Sequence, residues 1–208
     1  MLMIERSFIQ NSLKLQRVRD YILSEFKHAA ISEVEVKRTP LGEKIIIKSS
    51  RPGIVVGRKG KNISSLSETL KQMFNLENPE IEVVEVENPF LDPRILAEDI
   101  AMRLERYGPN VFKSAMHKTI EKIMRAGARG AEITISGKVP GARAKTWRVS
   151  KGHLKKSGYP AQYLIKEAKT YATLKVGKVG ISVKILPPDV VLPDDVKIAE
   201  ANTVGNNE

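Results

Sequence analysis

Apolar residues along the chain switch between two periods, and the switches mark out its elements. Over Ile4 to about Lys27, Phe8, Leu15, Val18, Ile22 and Phe26 recur at helical spacing. Arg6, Lys14, Arg17 and Arg19 lie elsewhere on that cylinder, which predicts a long amphipathic helix with Asn11-Ser12 as a candidate break. Ile31 to Arg38 (ISEVEVKR) alternates apolar and charged residues as a half-buried strand does. Thr39-Pro40-Leu41-Gly42 reads as a turn, and Lys44 to Lys48 (KIIIK) as the second strand of a hairpin. Pro52 suits a first helical turn, and Gly53 to Val56 allow only a short helix. After Gly60, the segment Lys61 to Phe74 carries Ile63, Leu66, Leu70 and Phe74 at helical spacing, and Ile81 to Val86 (IEVVEV) alternates again. The predicted order is helix, strand, strand, short helix, glycine loop, helix, strand: three strands with helices on one face, an α+β unit.

A second pattern begins after the Asn88–Asp92 junction. Asp92 is placed to cap a helix and Pro93 to open it, with Ile95, Leu96, Ile100 and Leu104 on its apolar face as far as Tyr107. Gly108-Pro109 breaks the pattern. Asn110 is a candidate cap for Val111 to Ala126, whose apolar face is Phe112, Ala115, Met116, Ile120 and Ile123, and Gly127 suits its end. Strands are then predicted over Ala131–Ser136, Arg143–Val149, a long stretch near Tyr163–Val176, and Val179–Leu186. Val139-Pro140-Gly141-Ala142 has the Pro-Gly centre of a type II turn, which makes the first two of these strands a hairpin. The second half is therefore also α+β, with a mixed or antiparallel sheet packed by two helices. Asp189 to Glu208 hold five acids and one lysine with little periodicity, which predicts a mobile acidic tail. The expected division is 1–88, 89–187 and 188–208.

Charge narrows the function. Among 208 residues, 35 Lys and Arg stand against 24 Asp and Glu, a formal net charge of +11 that attracts polyanions, nucleic acid foremost. The chain has no cysteine, so disulfides, thiol catalysis and cysteine-held zinc are excluded. No apolar run approaches the ~20 residues of a membrane span, and the first ten residues lack a secretory pattern. A cytoplasmic protein with no membrane partner is expected.

The candidate chemistry concentrates in RPGIVVGRKGKNI, Arg51 to Ile63. Gly57 and Gly60 let a backbone approach closely, Arg58, Lys59 and Lys61 add charge, and a following helix start favours an anion. The bland alternative is a charged turn whose glycines serve geometry only. With a strand before it and helices on both sides, the stretch resembles a KH module, in which a GXXG loop clamps about four nucleotides of single strand. A nucleotide-binding P-loop does not fit, because Gly60-Lys61 is followed by Asn62 and Gly177-Lys178 by Val179 rather than by Ser or Thr. No dinucleotide fingerprint is present, so neither a cofactor nor a small-molecule substrate is expected.

Between Ile133 and Lys166 there is no acidic residue, while Lys138, Arg143, Lys145, Arg148, Lys151, Lys155 and Lys156 fall inside the run. Uncompensated cations repel one another unless an anion is bound, which makes these seven candidate RNA contacts against the alternative of a solvated face. As part of a strand, Arg143, Lys145 and Trp147 would share one face and Arg148 the other. Trp147 could stack a base, but packing is its more ordinary role. On the predicted helix Val111–Ala126, Lys113 and His117 lie one turn apart, with Lys118, Lys122 and Arg125 in another stripe. His28, His117 and His153 are scattered and the adjacent acid pairs diverge, so no catalytic or metal constellation is read.

The order RPGIVVGRKGKNI, an amphipathic linker, then GARGAEITISGKVPGARAKTWR is similar to the universal small-subunit ribosomal protein S three family, over residues 4 to 187. RTPLGEKIIIKSSRPG resembles its archaeal members. That resemblance implies a type II KH domain followed by a C-terminal α+β domain, and a structural role in the head of the small subunit rather than catalysis. It implies small-subunit rRNA as a partner, mRNA where the message enters the subunit, and the neighbouring proteins S ten and S fourteen. Lys113, Ser114 and His117 fall on the family's mRNA-facing helix, where bacterial relatives carry three basic residues. Two other classes remain beside it: a lyase acting on damaged DNA through a nucleophilic lysine, and a free KH regulator binding mRNA away from the ribosome.

Overall fold

The computed structural model describes residues 2–39, 42–74, 76 and 79–195, with side chains from residue 5 onward. Helix α1 (Leu2–Glu25) runs without the break proposed at Asn11-Ser12. Val18 and Ile22 are buried, but Phe8, given to the same face by its spacing, is 73% exposed, as Ile9 and Leu13 also are to a large degree. The core under the helix begins only at Val18, so periodicity continues where packing does not.

Strands β1 (Ile31–Thr39) and β2 (Gly42–Ser49) form the antiparallel pair expected, with Val34 opposite Ile47 and Val36 opposite Ile45. The turn residues Pro40 and Leu41 lie outside the described residues. A register shift between Ile31 and Glu33 lets Ile31 and Val34, three apart, both reach the core, which strict alternation forbids. The chain then crosses over through α2 (Pro52–Val56) and α3 (Lys61–Phe74). Because a crossover separates them, β3 (Glu80–Glu85) returns parallel to β2, with Ile45 opposite Ile81 and Ile47 opposite Val83. The sheet order is β1-β2-β3, and Ile45, Ile47, Val55, Leu66 and Leu70 join Val18 and Ile22 in one core.

The second core is larger. Helix α4 (Pro93–Tyr107) starts as predicted: the Asp92 carboxylate accepts from the Arg94 amide at 2.9 Å, and Pro93 occupies the first turn. Helix α5 (Phe112–Arg125) begins differently. Pro109–Val111 form a 3₁₀ turn that runs straight into it, Val111 stands at the cap, and no side chain, Asn110 included, caps the end. Behind these helices, β4 (Gly130–Gly137), β5 (Lys145–Gly152), β6 (Lys166–Leu174) and β7 (Gly177–Leu186) form a wholly antiparallel sheet in the order β5-β4-β7-β6. Ala131, Ile133 and Ile135 lie opposite Ile185, Val183 and Ile181, and pack against Ile100, Leu104, Met116 and Ile123.

Two expectations fail here. The β4–β5 connection is not a type II turn, because Gly141 does not take the positive φ that its third position requires; Val139 is fully buried, drawn into the core with its carbonyl bound by Trp147. Residues 188–195 depart from the expected mobile tail at two points, although most of their side chains are exposed. Leu192 is buried with Ile165 and Leu186, and Asp195 grips the Arg129 guanidinium through both oxygens at 2.5 and 2.7 Å. That ion pair holds the Asp195 carboxyl well below the usual range, by the Arg129 hydrogen bond first and the Leu192 amide next. The rest of the expected tail, 196–208, lies outside the described residues. Among the described residues, no helix is long and apolar enough to cross a membrane.

Candidate nucleic-acid interface

The glycine loop is built by three departures from ordinary backbone within four residues. Helix α2 closes on Gly57, whose amide donates to the Gly53 carbonyl at 3.0 Å. Gly57 itself takes φ 71° and ψ 179°, a region open essentially to glycine alone. Lys59 is left-handed at φ 55° and Gly60 follows at φ 75°. The glycines at both ends were expected to carry the geometry; the left-handed lysine between them was not. Asn62 locks the junction. Its side-chain amide donates to the Ile54 carbonyl at 2.9 Å, and its Cγ lies 2.5 Å from where a Cβ on Gly57 would stand. Asn62 entered the sequence argument only as a residue that disqualified a P-loop, and a polar residue two past a glycine gives no signal of such a clamp.

Arg58, Lys59 and Lys61 are exposed, and none has an ion-pair partner among the described residues. From Arg51 to Ser67 the chain has no acidic residue. The loop also lies at the N-terminal, partially positive end of α3. Backbone conformation, side-chain charge and helix dipole therefore all favour an anion at one place.

The basic run of the second half divides into two groups. Arg148 and Lys156 each approach the buried carboxylate of Glu132 at 3.3 Å, and Lys155 pairs with Asp194. These three cations therefore have acidic partners, two carboxylates between them. The acids lie just outside the acid-free window, at one end of the run and far beyond the other, where a linear reading does not look. Lys138, Arg143, Lys145 and Lys151 are exposed and have no ion pair among the described residues. Arg143 precedes the strand rather than sitting in it, because β5 begins at Lys145.

Trp147 packs rather than presenting a free face. Its ring lies 5.3 Å from Phe112, and its Nε1–H donates to the Val139 carbonyl at 2.9 Å. Lys113 reaches over from α5, with Nζ 5.2 Å from the Trp147 ring centroid. The hairpin cations and the α5 residues Lys113, Ser114 and His117, all three exposed, thus come from facing elements. The glycine loop is built on the other sheet. One feature was not singled out: Tyr159 and Tyr163 stack at 4.8 Å and are 65% and 71% exposed, at a π-helical turn (Pro160–Leu164) that occupies the start of the strand expected near Tyr163 and delays it to Lys166. Among the described residues, no cluster of His, Cys, Asp or Glu could hold a metal ion.

A helix–strand–strand–helix–GXXG–helix–strand unit followed by a basic α+β unit defines a KH-type nucleic-acid-binding protein. Comparison with known sequences agrees for both units. Residues 17–91 match the KH domain, and residues 100–185 match the C-terminal domain of ribosomal protein S3. The chain is 41% identical over 198 residues to the small ribosomal subunit protein uS3 of Methanocaldococcus jannaschii, covering 95% of this chain and 94% of that one. It is 43% identical over 196 residues to that of Methanobrevibacter smithii, covering 94% and 78%. It is 41% identical over 194 residues to that of Haloquadratum walsbyi, covering 93% of this chain but only 59% of the longer relative. The chain belongs to the uS3 family of small ribosomal subunit proteins, a family of ribosomal proteins rather than enzymes.

Proposed function

We propose that the protein is a structural constituent of the head of the small ribosomal subunit that binds small-subunit rRNA, with 1–88 and 89–187 as its two RNA-binding domains. The observation that carries this reading is the set of four exposed cations without acidic partners, Lys138, Arg143, Lys145 and Lys151, on one hairpin of the second sheet. Fixed on a rigid strand and its loop, they match phosphates whose spacing is itself fixed. Arg148, Lys155 and Lys156 serve as a reserve, freed when phosphate replaces Glu132 and Asp194. Gly57, Arg58, Lys59, Gly60 and Lys61 form a second contact, to unpaired nucleotides. Lys113, Ser114 and His117 face mRNA where it enters the subunit. Ser114 carries no charge where bacterial relatives have a cation, so this face holds mRNA more weakly than theirs. Small-subunit proteins S ten and S fourteen are its neighbours.

Sucrose-gradient fractionation of cells expressing a tagged chain tests the assignment. Co-sedimentation with the small subunit is expected, and a chain found only in light fractions bound to mRNA would replace it with a free KH regulator. In the purified full chain, Arg58→Asp with Lys59→Asp should weaken single-stranded RNA binding about tenfold at low salt without unfolding the protein. Unchanged affinity would reduce the loop to a turn.

A further inference from the structure

A cleft of about 990 Å³ separates the two halves of the molecule, at the upper end of the range in which protein clefts hold a ligand. Its walls come from His28, Arg51 and Ile54 of the first half on one side and from α4 and α5 on the other. It starts beside the glycine loop, because Ile54, which lines it, is the residue whose carbonyl anchors Asn62. It ends on α5 at Ser114 and Lys118. Four cations line it against two carboxylates, and the carboxylates are both engaged by the chain itself. Asp99 pairs with Arg103 at 2.7 Å, and Glu105 accepts the Thr173 amide at 2.8 Å. Arg51, Arg106 and Lys118 have no acidic partner among the described residues. Tyr107, at the end of α4, is 63% exposed and takes part in no ring-stacking or cation–π pair among the described residues. Free cations, an exposed ring and a half-exposed Ile54 suit a strand that offers phosphates and bare bases in alternation. Duplex RNA offers no base faces, and an acidic peptide would leave Tyr107 without use.

We propose that this cleft is a second binding site for single-stranded RNA, taking the nucleotides that continue from the Gly57–Gly60 loop towards α5. Arg51, Arg106 and Lys118 hold phosphates, and Tyr107 stacks a base. The inference rests on reading that loop as an RNA contact, and the test separates the two. Binding of the full chain to labelled oligouridines is measured by fluorescence anisotropy, with one of about four nucleotides, the length that the loop clamps, and one of about twelve. Arg106→Glu with Tyr107→Ala should weaken the longer oligonucleotide at least about five-fold and leave the shorter one unchanged, while Tyr107→Phe keeps full binding. Both changed residues are exposed, and far-UV circular dichroism with a thermal scan verifies folding. Arg58→Asp with Lys59→Asp should weaken both lengths. Unchanged binding of the longer strand by the cleft variant, with the loop variant still impaired, overturns the cleft and spares the loop. A cleft variant that weakens only the longer strand, beside a loop variant that weakens neither, supports the cleft and overturns the loop. Unchanged RNA binding with failure to enter the small subunit would assign the cleft to a protein neighbour and overturn the inference.

Discussion

Both halves of the molecule join two helices with the same local device, and only one of the two junctions carries cations. Helix α2 passes through Gly57 (φ 71°, ψ 179°) and a 3₁₀ turn into α3; α4 passes through Gly108 (φ 81°, ψ −179°) and a 3₁₀ turn into α5. Around Gly108 a Cβ would meet nothing within 4 Å, whereas at Gly57 it would collide with Asn62. The turn after Gly57 is Arg-Lys-Gly; the turn after Gly108 is Pro-Asn-Val. The backbone thus solves one geometric problem twice, and function lies in what is added: a clamp beneath, which holds the loop in one shape, and cations above. In the second half the cations sit instead on side chains of a hairpin, where acids distant in sequence decide which remain free.

The sharpest way to break this comparison is to add one methyl group at each junction. Gly57→Ala should cost about 3 kcal/mol, combining the strain of a backbone region closed to alanine with loss of the Asn62 hydrogen bond. Gly108→Ala should cost about 1 to 3 kcal/mol, from strain alone. Urea unfolding of the two variants measures the difference, and equal losses would show that the Asn62 clamp contributes nothing.

The second half is tested by its charges. Neutralising Lys138, Arg143, Lys145 and Lys151 together should lower the salt slope of rRNA binding by about 0.9 for each phosphate left without its cation, taking the duplex coefficient. Neutralising Arg148, Lys155 and Lys156 should lower it less, because Glu132 and Asp194 already hold them. Filter binding over a range of salt distinguishes the groups, and identical slopes would end the division between free and held cations.

The smallest expected effect separates the halves by the sign of their response to pH. Burial pushes the Glu98 carboxyl on α4 up from 4.5 to about 7, against the pull of Arg94. A carboxyl with a raised folded pKa takes stability away as pH rises from about 4.5 to about 7, and Glu98→Gln should remove that decline, about 1 kcal/mol once solvent screening of this partly exposed group is allowed for. In the first half, hydrogen bonds from Lys48 and then Lys37 lower the Glu35 pKa. Glu35 therefore adds stability above its ordinary pKa that is lost as pH falls through the lowered one, so Glu35→Gln should weaken the protein near neutrality and not in strong acid. Thermal melts from about pH 2 to about pH 8 record both, and slopes of the same sign would remove the contrast.

Much of the architecture was legible because its signals are local. The Asp92-Pro93 start of α4, the apolar face of α3, and the β1–β2 pair each depend on residues within one or two turns of each other. The GXXG loop was legible for the same reason. What was missed depends on neighbours far along the chain. Asn110 was a plausible cap that the Pro109–Val111 turn left unused. Residues 188–195 looked like mobile tail because their partners, Arg129, Lys155 and Ile165, lie tens of residues earlier. Phe8 failed in the opposite sense, with the right spacing but no core above Val18 to enter.

By itself, the sequence determined the element order, the α+β class, the position of the glycine loop and the excess of positive charge, since propensity, period and net charge are properties of contiguous residues. Tertiary structure alone decided that β3 runs parallel to β2, that Asn62 braces Gly57, and that Trp147 packs. It also decided that three of seven hairpin-region cations share two acidic partners, and that Arg51, Arg106, Tyr107 and Lys118 converge on one cleft. These are contacts between segments that only the folded chain brings together, and Coulomb and van der Waals forces act on distance in space rather than along the chain.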